Sequence, residues 1–89
     1  MAELNPAQSR AARGLLNLTQ QELAAASDLS LRTVVTFEKG GRSQATSTAR
    51  AIQKALEAAG IEFIGDTGVQ LKRDAQFATA DAAVEGIDQ

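Results

Sequence analysis

Residues 18–40 read LTQQELAAASDLSLRTVVTFEKG, and the patterning of this stretch decides the fold. Thr19-Gln20-Gln21-Glu22 has the spacing of a capping box, in which a Thr side chain takes a first-turn N–H and a Glu three residues on reaches back to the Thr N–H. A short helix over about 20–26 follows, with Leu23 and Ala24 turned inward. Ser27-Asp28-Leu29 makes a tight break, and Ser30 has the chemistry of an N-cap for the next helix. In that helix Val34 and Phe37 face inward, which leaves Leu31, Arg32, Val35 and Thr36 outside. Gly40-Gly41 ends it, because glycine readily takes the left-handed conformation beyond a helix C-terminus.

Upstream, Asn5-Pro6 marks the start of another helix, with Asn5 as N-cap and Pro6 in the first turn. Ala7, Ala11, Leu15 and Leu18 recur at helical spacing and form its expected apolar stripe. Downstream, a Ser/Thr/Gln/Arg loop leads to a fourth helix from about Thr46, with Ala49, Ile52, Leu56 and Ala59 as its inner face and Gly60 as its stop. The period then changes from helical to alternating. Ile61-Glu62-Phe63-Ile64 and Val69-Gln70-Leu71-Lys72 flank the turn residues Gly65-Asp66-Thr67-Gly68, which predicts a β-hairpin with Ile61, Phe63, Val69 and Leu71 on one face.

Two short helices joined by a turn of about three residues have the geometry of a helix-turn-helix, whose second helix enters the major groove. Residues 10–60 resemble the XRE family, which includes the phage repressors and Cro. Thr19-Gln20, Glu22-Leu23-Ala24, Ser30 and Glu38-Lys39-Gly40 carry the resemblance, and Asp28 departs from it where the family prefers Gly. The fold implied is mainly α: a lambda-repressor-like domain of four to five helices over residues 1–60, followed by the hairpin at 61–73. The function implied is a sequence-specific DNA-binding transcription factor, a homodimer on a palindromic operator, of the kind that controls its own promoter on a phage or mobile element. The resemblance also pairs Arg13 with Glu38 as a structural ion pair tying the first helix to the third.

The residue chemistry gives the surface its expected roles. Gln20, at the start of the second helix, is either a phosphate ligand beside free backbone N–H groups or a solvated polar side chain. Ser30, at the start of the recognition helix, is expected among the DNA-contacting residues. Arg32, one turn in, is long enough to reach a guanine edge with a two-pronged guanidinium, or else touches phosphate only. Leu31 and Val35 are apolar yet point away from the core stripe, so they pack on thymine methyls or, for Leu31, sit at the core edge. Thr36 can donate or accept. Lys39 and Arg42 flank the glycine pair, where cations either meet the DNA backbone or are simply solvated. The hairpin residues Ile61, Phe63, Val69 and Leu71 are the expected dimerisation surface, since a lone two-stranded hairpin is marginal in water and its apolar face needs cover; the alternative is a hairpin folded back on the fourth helix.

Composition narrows the classes. The 89 residues contain no Cys and no His, which removes disulfides, thiolate metal sites, the usual general base and the commonest metal ligand. No phosphate-cradling glycine loop is present either, so neither an enzyme nor a cofactor or metal site is expected. MAELNPAQSR has no apolar signal region and no run approaches membrane-spanning length, which leads to a cytoplasmic, nucleoid-associated expectation. All nine basic residues lie within 1–73 against seven acids, while 74–89 holds four acids and no base; the two parts, +2 and −4, make the net charge of −2. That acidic tail, with Phe77, Val84 and Ile87 as apolar anchors, is inert chain, an electrostatic brake on DNA binding, or a docking point for a protein partner. An antitoxin-like protein or a protein-interaction module that keeps the fold is the rival reading.

Overall fold

A computed structural model describes residues 4–40 and 46–72. Its elements run α1 (Pro6–Leu16), α2 (Gln20–Ser27), α3 (Leu31–Glu38), α4 (Thr46–Ala58), β1 (Ile61–Ile64) and β2 (Gly68–Leu71). Arg42, most of the loop before α4, and the acidic segment 74–89 with its expected weak helix lie outside the described residues.

The helices start where their caps put them. In α1 the Asn5 side chain accepts from the Gln8 N–H at 2.9 Å, and Gln8 Oε1 accepts the Asn5 N–H at 3.1 Å. In α2 the same reciprocal pair joins Thr19 and Glu22, at 3.0 and 2.9 Å. Ser30 accepts the Thr33 N–H at 3.1 Å to open α3. Each exchange satisfies first-turn donors that have no partner within the helix. Asp28, after α2, takes the left-handed conformation (φ 61°) that the preferred Gly would hold more easily, and Asn17 does the same after α1 (φ 61°).

The core is small and aliphatic. Leu23, Val34, Ile52, Leu56 and Ile61 are fully buried, and Phe37 and Ala49 nearly so. Complete burial of one such Leu or Ile contributes about 1.5–3 kcal/mol. Of the expected inner face of α4, Ala49, Ile52 and Leu56 are buried and Ala59, beyond the helix end, is half-buried.

The first helix is turned differently from its apolar stripe. Ala7 and Ala11 are exposed and Leu15 is 47% exposed, whereas Gln8, Ser9 and Ala12 are buried. Leu4, Gln8, Ala12 and Leu16 share the inner row, one residue out of step with the stripe read from the sequence. Alanine carries too little apolar area to fix a helix face, and the buried polar groups of Gln8 and Ser9 all find hydrogen-bond partners, so their burial is not penalised.

The two strands pair antiparallel, Ile61 opposite Leu71 and Phe63 opposite Val69. The four apolar residues therefore share a face, as their alternation predicts. That face is directed at the chain's own core, not at α4 alone: Ile61 is wholly buried, while Phe63, Val69 and Leu71 are half-buried against the core. Within the turn, Gly65 holds φ +60° without the strain a side chain would add, and a Cβ on Gly68 would lie 2.7 Å from the Ile64 carbonyl oxygen, so Gly68 is the position that excludes a side chain.

Candidate DNA-binding surface

Helices α2 and α3 meet through the Asp28 turn and pack on each other and on α4. Their relative position is fixed from below by one carboxylate. Glu38, at the last turn of α3, has a side chain only 2% exposed and forms an ion pair with Arg13 at 2.8 Å. Its Oε1 accepts from Arg13 Nη2 at 2.8 Å, Arg13 Nε at 3.1 Å and Gln20 Nε2 at 3.1 Å. Its Oε2 accepts from Ser9 Oγ at 2.6 Å and Arg13 Nε at 3.0 Å. One carboxylate thus joins α1, α2 and α3. Burial pushes its pKa up, but the hydrogen bonds from Arg13, Ser9 and Gln20 and the Arg13 charge outweigh that and hold it below the ordinary glutamate value. Arg10 adds a donor to the Glu38 main-chain carbonyl, a cation where the helix dipole favours one.

With α3 held on its inner side, its outer side is left to solvent. Leu31 is 44% exposed; Arg32, Thr36 and Lys39 are exposed and Val35 is half-buried. Leu31 and Val35 form one row, i and i+4, and Arg32 and Thr36 the next. The side chains of Arg32 and Lys39 make no hydrogen bond or ion pair among the described residues, in contrast to those of Arg10 and Arg13.

Two residues expected at DNA are committed elsewhere. The Ser30 hydroxyl caps α3 and shares a hydrogen bond with the Thr33 hydroxyl at 2.8 Å. Gln20 is half-buried and sends its amide nitrogen inward to Glu38. A buried anion is a better acceptor than solvent, so the amide turns to it. Sequence reading did not find Ser9, Gln20 or Arg10 in this network. It also passed over Gln8, although Asn5-x-x-Gln8 has capping-box spacing.

The helix-turn-helix family model matches residues 10–62, more than half of the chain. The protein belongs to the XRE family of helix-turn-helix proteins. That makes it a DNA-binding helix-turn-helix regulator. None of the curated proteins compared with the chain matches it. No helix among the described residues is long and apolar enough to cross a membrane.

Proposed function

We propose that the protein is a cytoplasmic transcription factor, a binding protein and not a catalyst, that reads a palindromic operator as a homodimer with α3 in the major groove. The observation that carries this reading is the contrast between the two sides of α3. Its inner side is tied down by Val34, Phe37 and the Glu38 network, while its outer side offers Arg32, Thr36 and Lys39 beside an apolar row that the core does not use. Arg32 suits a guanine edge, Leu31 and Val35 suit thymine methyls, and Lys39 suits phosphate. Because the Gln20 side chain is turned inward, the Gln20 and Gln21 N–H groups, which the capping box leaves over, are the contribution of α2 at the phosphates.

The hairpin supports a dimer through its edges more than through its face. Lys72 N–H donates to the Gly60 carbonyl at 2.7 Å, and bonded pairs alternate along an antiparallel ladder. The main-chain groups of Phe63 therefore point out from one edge of the two-stranded sheet, and those of Val69 and Leu71 from the other. Open edges of this kind are templates for a second copy, and reading two half-sites one turn of DNA apart requires the two-fold axis to hold the α3 helices about 34–36 Å from each other.

Selection of bound duplexes from random-sequence DNA tests the proposal. The expected product is a palindrome with two half-sites one turn apart. A pool that enriches no sequence overturns the operator reading and leaves the antitoxin-like or protein-interaction role.

A further inference from the structure

The hairpin is fastened to the helical domain at both ends, by different chemistry. At its base, Ile61 is fully buried in the core directly after Gly60, which has φ +106°. At its tip, two side chains from the start of α1 take three turn carbonyls. Gln8 Nε2 donates to the Gly65 oxygen at 3.0 Å and the Gly68 oxygen at 3.1 Å. Asn5 Nδ2 donates to the Asp66 oxygen at 2.6 Å. Gln8 is 2% exposed, and its remaining polar atom accepts the Asn5 N–H, so its whole amide is satisfied. The capping box of α1 is thus also the socket of the hairpin turn.

We infer that Asn5 and Gln8 are positioning residues that lock the hairpin to α1 and so set the separation of the two recognition helices on DNA; this rests on the hairpin-edge dimer proposed above. The next residue along, Ser9, bonds Glu38 at the end of α3. Adjacent residues of one helical turn therefore hold the hairpin and the recognition helix. With the tip released, the hairpin is held by its apolar face alone and is less restrained against a tilt about Gly60. A tilt about Gly60 shifts each recognition helix relative to the two-fold axis, and the step that matters on DNA is the ~3.4 Å rise of one base pair. Loss of the clamp therefore reads out as lost spacing, with the half-site sequence kept, because α3 and its outer residues are untouched.

The test applies the random-duplex selection to the full chain and to two variants. Gln8→Met keeps the side chain's length and removes both amide donors. Asn5→Ser keeps a capping oxygen for the Gln8 N–H and removes only the bond to Asp66. Wild-type protein is expected to enrich one spacing at least tenfold over spacings two base pairs shorter or longer. Gln8→Met is expected to enrich the same half-site with that preference reduced at least fivefold, and Asn5→Ser to fall between. Variants that are less stable but keep the full spacing preference overturn the clamp while leaving the dimer standing. A wild-type chain that sediments as a monomer and selects single half-sites overturns the dimer, and the clamp's role with it. Should Gln8→Met not fold, Asn5→Ser with unaltered spacing is sufficient to reject the inference.

Discussion

Arg13 and Glu38, 25 residues apart in sequence, are joined by a guanidinium Nη2 2.8 Å from a carboxylate oxygen and an Nε about 3 Å from both. Arg13 also donates from Nη1 to the Leu18 carbonyl at 3.1 Å, at the entrance to α2. Removing either partner leaves the other without its counter-charge in a largely dry site. Arg13→Ala or Glu38→Ala is expected to cost about 3–5 kcal/mol. For a domain of this size that is a drop of tens of degrees in Tm, since each kcal/mol shifts it by about 4–8 °C. Thermal unfolding followed by circular dichroism checks this; a loss under 1 kcal/mol would show that the pair is incidental.

The same carboxylate fixes the acid limb of stability. Its folded pKa lies below the ordinary glutamate value of 4.5, so the unfolded chain binds the proton more readily. The contribution is fully present above the ordinary value and is lost as pH falls through the folded one. Stability is expected to decline below about pH 4.5, more steeply in wild-type protein than in Glu38→Gln. Denaturant midpoints measured from pH 7 down to pH 3 decide it, and identical slopes would remove Glu38 as a cause.

On DNA, two exposed cations are expected to behave differently. Arg32→Ala should weaken operator binding by about 1–3 kcal/mol and relax preference at one base pair in each half-site. Lys39→Ala should weaken binding to all sequences and flatten its salt dependence. Titrations of operator and scrambled duplexes at several salt concentrations separate the two. An Arg32→Ala protein as selective as wild type would place base reading elsewhere.

Asp28 holds a left-handed backbone without a side-chain hydrogen bond to the described residues. Replacing it by Gly relieves that conformation and costs some unfolded-state entropy, for a net gain of up to about 1 kcal/mol. Asp28→Val is expected to lose stability instead. Urea midpoints of both variants give the sign.

Leu15 and Leu23 should answer oppositely to truncation or charge. Leu15→Lys, on the outer side of α1, is expected to stay within about 0.5 kcal/mol of wild type. Leu23→Ala should lose about 2–5 kcal/mol. A large loss at Leu15 in the same urea titrations would mean that its face is covered in solution.

Caps and turns were the readable part of this sequence. Thr19, Ser30, Gly60 and the alternation after it each act locally, so the boundaries of α2, α3, α4 and the hairpin follow from neighbouring residues. The facing of α1 was not readable, because Gln8 and Ser9 are inside for the sake of partners 57 to 60 and 29 residues away. Apolar periodicity carries no trace of such partners. Gln20 shows the same limit at the candidate site: its place at the helix start was legible, but not the buried anion that turns it inward. For the hairpin, alternation named the residues on one face without saying which surface covers it.

The polar inner side of α1 also has a thermal consequence. Apart from Ala12 and Leu16, this helix is docked by Gln8, Ser9, Arg10 and Arg13, through hydrogen bonds and one ion pair. Apolar burial gives unfolding its positive heat-capacity change and weakens on cooling. The seam under α1 adds little to that quantity, while the Leu23, Ile52 and Leu56 core supplies most of it. On cooling, the contacts that weaken are those of the Leu23, Ile52 and Leu56 core, and the hydrogen bonds and ion pair under α1 do not share that loss.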